Sequence, residues 1–170
     1  MSLEKPENLD QLFNNRLSRL LASSSAPSIR LFEGGYGVSR REWRLVGLVA
    51  VYGAMSPSEL AERAHLERPR VSRVLTGLVQ RGLLARVGLP NDRRRARVEI
   101  TPAGRQLYEE VFPQLARLHA RLLSTLTPQQ LAEFDQMLDL LTEAAEALAR
   151  TSQVTLKAAR HLGGRKRGSS

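Results

Sequence analysis

The sequence predicts a mainly α-helical protein with one small β-hairpin, and three observations support this prediction. Helix-capping side chains recur along the chain and are followed by apolar residues at helical spacing. One segment alternates apolar and charged residues, which is typical of a half-buried strand. The last third of the chain carries an apolar seam spaced for a helix that packs lengthwise against another helix.

Composition limits the classes of protein to which the chain can belong. Its 170 residues suit one domain with a buried core, since 42% of them are hydrophobic. The net charge of +9 favours an anionic partner such as nucleic acid or an acidic membrane surface. The lack of cysteine excludes disulfides, thiolate zinc sites and thiol redox sensing within this chain. We expect a cytoplasmic protein, because the sequence shows no export signal and no run of about 18 apolar residues.

Helix starts are marked by capping boxes, in which a side-chain oxygen and a Glu or Gln three residues later satisfy two backbone donors. The boxes pair Ser39 with Glu42, Ser56 with Glu59, and Thr127 with Gln130. Proline follows Thr101 as it follows the last two caps, at the first helical position. Gly53 and Gly82 each follow an apolar run, where a left-handed residue closes a helix.

The apolar spacing between these marks predicts the helices of the first half. We expect a helix from about Pro6 to Ala22, a break at SSSAPS, a short helical piece to Glu33 and a connector at GGYG, residues 34–37. With no preceding strand and no Lys-Ser/Thr after it, GGYG is a poor phosphate loop. The next helices span residues 39–52, 57–64 and 68–81, with a three-residue turn at 65–67 between the last two.

Two alternating segments near residues 83–87 and 96–100 predict an antiparallel hairpin, and the stretch LPNDRRRARVEIT, residues 89–101, forms its turn and second strand. One face of that strand carries Ala96, Val98 and Ile100, and the other carries Arg95, Arg97 and Glu99. Successive strand side chains point to opposite faces, so we expect the arginines to point outward.

Two long helices are predicted over residues 102–124 and 128–158, and Pro113 should kink or divide the first. The second helix fits either a lengthwise helix pair or an ordinary amphipathic core helix. Beyond Thr155 the chain becomes a basic tail that we expect to fray. The apolar seam of the second helix consists of Leu131, Phe134, Leu138, Leu141, Ala145 and Leu148.

Residues 56–101 are predicted to form a helix, a three-residue turn, a second helix and a hairpin. This is the order of a winged helix-turn-helix, whose second helix enters the DNA major groove. The core side of helix 68–81 carries Val71, Val74, Leu75 and Leu78. A solvated helix face is the alternative, but such faces usually mix acids with bases, and this one has no acid after Glu67. The candidate DNA contacts of the two helices are Ser58, Arg68, Pro69, Arg70, Ser72, Arg73 and Thr76.

The hairpin tip supplies four further candidates, Asp92, Arg93, Arg94 and Arg95. Arginines on a wing can lie along the minor groove, where the negative potential is strong. Phosphates would repel Asp92, so we expect it to accept hydrogen bonds from Arg94 and hold that guanidinium in place. The alternative is an Asn-Asp turn with a solvated run of charge.

From Ser39 to Arg105 the chain resembles the MarR family of bacterial transcriptional regulators. The resemblance is carried by REWRLVGLVA, SPSELAERAHLERPRVSRVLTGLVQRGLLAR and NDRRRARVEITPAGR. Its most specific part is the Asp-x-Arg of Asp92 and Arg94, followed by a strand and by Thr101 and Gly104. The resemblance implies a homodimeric repressor whose terminal helices form the dimer and whose winged domains read the two halves of a palindromic DNA site, with Arg94 at the wing tip.

This resemblance also divides the chain into regions. Residues 39–101 are expected to form the winged helix-turn-helix that binds DNA, and residues 1–38 and 102–158 a helical dimerisation region. Residues 159–170 are expected to form a basic flexible tail. Because the resemblance implies a protein that binds DNA, we expect it in the cytoplasm, associated with the nucleoid.

Many regulators of this family are released from DNA by small aromatic ligands, and the stretch from Tyr36 to Trp43 resembles the branch that controls catabolism of aromatic acids. An aromatic carboxylate needs a cation and an aromatic or apolar wall. The alternative is that these residues have ordinary structural roles, with Trp43 in the core, His119 a satisfied or exposed helix residue and the arginines solvated. The candidate ligand-binding residues are Arg19, Tyr36, Arg40, Trp43 and His119.

Other classes of protein fit the sequence less well. An enzyme is not expected, because the chain has no HExxH, nucleophile elbow or P-loop, and we predict no cofactor and no metal. The main alternative is a constitutive basic winged-helix protein that binds nucleic acid without ligand control. A membrane role for the basic tail is a third possibility.

Overall fold

The computed structural model describes residues 3–89 and 92–151, with the side chains of residues 89 and 92–96 left out. They form two units, one ending at Leu122 and one beginning at Leu123, and each is described by itself. The predicted mainly α fold with a small β-wing is confirmed. The helices are α1 Phe13–Arg30, α2 Arg40–Tyr52, α3 Pro57–Arg63, α4 Arg68–Gln80, α5 Pro102–Leu123 and α6 Pro128–Thr151, and the strands are β1 Leu84–Leu89 and β2 Asp92–Ile100.

Helix α1 differs from its prediction at both ends. It begins at Phe13, after a short 3₁₀ turn at Leu9–Gln11, and continues through SSSAPS to Arg30. The predicted break is therefore wrong. The Ser25 hydroxyl donates to the carbonyl of Leu21 at 2.5 Å within the helix, so the serines do not end it.

Packing at the end of α1 explains why Pro27 does not stop the helix. Ser28 and Phe32 are buried, and the chain after Arg30 continues as a π turn, Leu31–Gly35. Burial of this segment outweighs the local preference for a break, because tertiary contacts routinely override propensity. Residues 34 and 35 of the predicted GGYG connector therefore belong to the π turn.

The predicted capping boxes are confirmed. The backbone N–H of Glu42 donates to the Ser39 hydroxyl at 3.2 Å, and the Ser39 N–H donates to the Glu42 carboxylate at 2.7 Å. Equivalent pairs start α3 and α6. Gly53 and Gly82 follow α2 and α4 with φ of 77° and 68°, so the predicted helix ends are correct.

The core of the first unit lies between α2, α3, α4 and the wing. Three of the four predicted core residues of α4, Val71, Leu75 and Leu78, are fully buried, and Val74 is partly buried against the same cluster. This core fixes the rotation of α4 about its axis, and the opposite side of the helix consequently faces solvent. The other helices contribute Leu45, Val46, Val49 and Leu60, and the strands contribute Leu84 and Val98.

The hairpin is longer than predicted. Strands β1 and β2 pair antiparallel with Leu84 opposite Ile100, and the pairing is irregular between Val87 and Leu89. Val98 also exchanges two backbone hydrogen bonds with Met55, at 2.8 and 3.1 Å, in the connection between α2 and α3. This bridge, which was not predicted, ties the wing to the helices.

Close contact joins the start of α5 to the start of the wing. The Thr101 hydroxyl accepts from the N–H of Gly104 at 3.0 Å and donates to the Gly82 carbonyl at 2.6 Å. A Cβ on Gly104 would lie 2.0 Å from the Leu83 carbonyl oxygen. The wing can therefore approach α5 only where the helix carries a glycine. Pro113 lies inside α5 and does not divide it.

The second unit contains α6, and none of the residues of α6 is buried. Along the predicted seam Phe134 is half-buried, and the exposed fraction of the leucines rises from 37% at Leu131 to 69% at Leu148. The seam therefore faces outward in a single chain. Residues 152–158 of the predicted helix and the basic tail lie outside the described residues. Across the described ranges, no helix is long and apolar enough to cross a membrane.

Candidate nucleic-acid interface and ligand cavity

All seven helical DNA-contact candidates are exposed. Pro69, Ser72, Arg73 and Thr76 lie on the side of α4 opposite its core, Arg68 and Arg70 lie in its first turn, and Ser58 lies in the first turn of α3. The Nε of Arg73 donates to the Pro69 carbonyl at 3.4 Å, and the Thr76 hydroxyl donates to the Ser72 carbonyl at 3.0 Å.

This face has the chemistry of a DNA-reading surface. Residues 56–101 contain ten arginines and five acidic residues, so much of the excess positive charge of the chain falls in this segment. A guanidinium can bind guanine O6 and N7 through two hydrogen bonds, and hydroxyls can bind phosphates or base edges. The arrangement suits a helix that enters a groove of double-stranded DNA.

The wing contributes arginines of two kinds. Arg97 donates to the carbonyl of Ala54, so it fastens the wing to the connection before α3. Arg86 is exposed on β1 and is a further candidate DNA contact. Sequence reasoning did not single it out, although its position in the alternating segment 83–87 was a usable signal.

The wing-tip candidates Asp92, Arg93, Arg94 and Arg95 have their backbone in β2. Their side chains lie outside the described residues, and so does the predicted contact between Asp92 and Arg94. That contact stays a prediction.

An ion pair links α2 to the end of the candidate DNA-reading helix. The Arg81 guanidinium donates to the Glu42 carboxylate at 3.2 Å, and Glu42 also completes the cap of α2. Burial raises the pKa of Glu42, but the hydrogen bonds from Ser39 and the charge of Arg81 outweigh it, and the pKa is lowered from 4.5. The carboxylate is therefore ionised at neutral pH and holds both helices.

A cavity of about 310 Å³ lies between α1, α2 and α5 in the first unit. Its wall brings together three of the five predicted ligand-binding residues, Arg40, Trp43 and His119. Arg44 also lines it and was missed by sequence reasoning, because nothing in the sequence separates it from the neighbouring arginines. The cavity is of the size that pockets for small ligands have.

Aromatic stacking fixes one wall of this cavity. The Trp43 ring stacks on Phe32 at a centroid distance of 5.6 Å and on Tyr108 at 5.5 Å. On the adjacent wall, the Arg40 guanidinium donates a hydrogen bond of 3.3 Å to the Ser25 hydroxyl. The cavity thus combines guanidinium groups, hydroxyls and a rigid aromatic surface, and this combination can hold a planar anion.

The two other predicted ligand-binding residues lie elsewhere. The Tyr36 hydroxyl accepts from the Gln114 amide at 2.5 Å, and its ring packs beside the buried cluster around Trp43. Arg19 is exposed on α1 and pairs with Asp10 at 3.8 Å. Neither side chain lines the cavity.

Residues 36–95 match the MarR family. The HTH-type transcriptional regulator FarR of Neisseria gonorrhoeae is 28% identical over 111 residues, which cover 65% of the chain and 76% of that relative. The homoprotocatechuate degradative operon repressor of Escherichia coli is 25% identical over 104 residues, which cover 61% of the chain and 70% of that relative. A MarR family regulator from Silicibacter pomeroyi has a similar solved fold, with a TM-score of 0.70 and 23% identity, covering 83% of the chain and 94% of that structure.

Proposed function

The chain belongs to the MarR family of transcriptional regulators, and on that premise we propose that it is a homodimeric repressor released from a pseudo-palindromic operator by a small aromatic acid. The family consists of DNA-binding regulators, so the prediction that the chain is not an enzyme is confirmed. The observation that carries the ligand-responsive part of the proposal is the cavity beside Trp43.

Operator recognition is assigned to the exposed face of α4 and to the wing. Residues 39–101, which span α2 to β2, form the DNA-binding region in this proposal. Arg73 and its neighbours read bases or phosphates in the major groove, and Arg94 reaches the minor groove from the wing tip. Support comes from the outward orientation of the α4 candidates and from the positive charge of this segment.

Dimerisation is assigned to the terminal helices, with the seam of α6 at its centre. Leu138 and Leu141 are exposed in a single chain, at 39% and 45%, on a helix without a buried residue. A contiguous apolar stripe of this kind is costly in water and typically marks an interface. A second copy that covers the stripe would place two winged regions on one DNA molecule.

The effector is assigned to the cavity lined by Arg40, Trp43 and His119. A ring can pack against the indole, and the guanidinium of Arg40 can pair with a carboxylate. The homoprotocatechuate repressor named above is a relative whose name concerns the degradation of such a compound. Because the cavity is built on α2, which packs directly on α4, a ligand there can bias the position of the DNA-reading helix.

The experiment that tests the proposal uses the purified protein and the DNA upstream of its own gene. Footprinting should reveal two half-sites whose centres lie about 10 bp apart, or a multiple of that spacing. A panel of small aromatic acids is then screened for a rise in the melting temperature and for release of this DNA.

The outcomes separate the proposal from its main rival. Release by an aromatic acid that also stabilises the protein supports the regulator. Binding that depends on salt but not on DNA sequence, with no effect of any acid, supports a constitutive basic winged-helix protein.

A further inference from the structure

A second cavity, of about 400 Å³, lies next to the ligand cavity in the first unit. Three arginines in the first turns of α2 line it, Arg40, Arg41 and Arg44, together with the cap residue Ser39. Glu33 supplies a carboxylate, and Leu66 of the turn before α4 completes the wall. We refer to this cavity as the arginine cleft.

The arginine cleft carries more positive than negative charge. Three guanidinium groups face one carboxylate in its lining. Within the described part of the chain, none of these arginines lies within ion-pair distance of a carboxylate, and Arg40 makes its hydrogen bond to the neutral Ser25 hydroxyl. Like charges held close together repel, and an anion bound between them removes that repulsion.

Two of these arginines also belong to the ligand cavity. Arg40 and Arg44 line both cavities, whereas Arg41 lines the arginine cleft and Trp43 lines the ligand cavity. A single molecule can therefore have an aromatic ring beside Trp43 and an anionic group among the arginines. Its anionic end would lie next to Leu66, in the turn that leads into α4.

We propose that the effector carries a second anionic group, a phosphate or a carboxylate, and that the arginine cleft binds it. This inference rests on the proposed function for the aromatic end of the molecule. It names a narrower effector class, an aromatic acid with a further anionic substituent. It also gives a physical link to DNA binding, because the bound anion would lie beside Leu66, in the turn that leads into the DNA-reading helix α4.

The test compares three compounds by the fluorescence of Trp43, which is the only tryptophan of the chain. The compounds are benzoate, terephthalate and 4-(phosphonooxy)benzoate, which share a ring and a carboxylate and differ in the second anionic group. We expect at least one of the two compounds with a second anionic group to bind roughly tenfold more tightly than benzoate, since charge-assisted hydrogen bonds to guanidinium are strong. The compound that shows the gain distinguishes a carboxylate from a phosphate.

Arg41→Gln tests the arginine cleft independently of the ligand cavity, because Arg41 lines only the cleft. This variant should bind benzoate as the wild type does but lose the tenfold gain that the second anionic group gives. Inorganic phosphate should likewise raise the melting temperature of the wild type and not of Arg41→Gln. Arg16→Gln removes the same charge from α1 outside both cavities and should retain the gain.

Three results would overturn the inference. Equal binding of all three compounds would show that the arginine cleft adds nothing to the affinity, while leaving the proposal for the ligand cavity intact. A gain that persists in Arg41→Gln would place the second anion elsewhere. If none of the compounds changes the fluorescence of Trp43 or the melting temperature, the proposed effector function fails together with the cleft.

Discussion

At the residue scale, Gly104 is the position with the least space for a side chain among the described glycines. The Leu83 carbonyl oxygen occupies the place of its Cβ, and Thr101 binds the same segment through its hydroxyl. The sequence showed Thr101 as a helix cap, but the close approach to Leu83 could not be foreseen, because it depends on how the wing folds back on α5.

Gly104→Ala should destabilise the protein by about 3 kcal/mol, because the added methyl group would overlap the Leu83 carbonyl oxygen. A backbone atom cannot move aside as the end of a flexible side chain can. Gly77→Ala is the matched control, since a Cβ at Gly77 meets nothing within 4 Å. Alanine in the middle of α4 should stabilise it by roughly 0.5–1 kcal/mol. Urea unfolding measures both changes, and equal effects of the two substitutions would refute the tight approach.

Glu42→Gln should destabilise the fold by about 1 kcal/mol or less at pH 7, since glutamine keeps the cap but loses the charge that pairs with the partly exposed Arg81. The folded protein lowers the pKa of Glu42 below 4.5, so the carboxylate stabilises the fold above that pH and this contribution is lost as the pH falls below it. The difference in unfolding free energy between the two proteins should therefore shrink in acid. A difference that stays constant from pH 7 to pH 3 would exclude the ionised pair as its cause.

At the element scale, α2, α3 and α4 were predicted nearly to the residue because their signals are local. Ser39 and Ser56 cap their helices within one turn, and the apolar spacing of α4 identifies its core side. The bridge between Met55 and Val98 joins distant parts of the chain and leaves no local signal. The same reason explains the wrong break in α1, where the burial of Phe32 outweighs a sequence typical of a turn.

The candidate site was predictable only in part. Residue type identified Arg40, Trp43 and His119 as suitable for an aromatic acid, and the fold brings them together. Arg19 was chosen on the same chemistry, but the course of α1 places it beside Asp10 instead. Which of several arginines lines a cavity depends on helix packing, and a single sequence does not contain that information.

Arg73→Ala should weaken operator binding by roughly tenfold or more and reduce the preference for operator over scrambled DNA, if Arg73 contacts a base edge. Gel-shift titrations with both DNAs measure the two effects. Arg16→Ala, which removes an arginine from α1, should change neither. Equal weakening on operator and scrambled DNA would instead make Arg73 a phosphate contact.

At the scale of the whole molecule, the exposed seam of α6 and the outward face of α4 suggest two separate interfaces on one chain. One is apolar and suits a second copy, and the other is basic and suits DNA. In the proposed function, a dimer doubles the DNA-reading surface, and its two-fold symmetry matches the two halves of a pseudo-palindromic operator.

Leu138→Glu should raise the dimer dissociation constant by roughly tenfold or more, because a carboxylate would be buried in the apolar seam. Sedimentation over a range of protein concentrations measures this change. Leu140→Glu is the matched control, since Leu140 is 67% exposed and lies off the seam. If both variants dimerise like the wild type, α6 is not the dimer interface.

The most direct measurement of the central claim is the affinity of the protein for its operator with and without a bound aromatic acid. For the wild type, we predict that a saturating acid weakens operator binding by roughly tenfold or more. Arg40→Gln should bind the operator normally and lose most of this response, because the cavity loses the guanidinium that pairs with the carboxylate. Operator affinity that no aromatic acid changes, or an equal response in wild type and Arg40→Gln, would contradict the account.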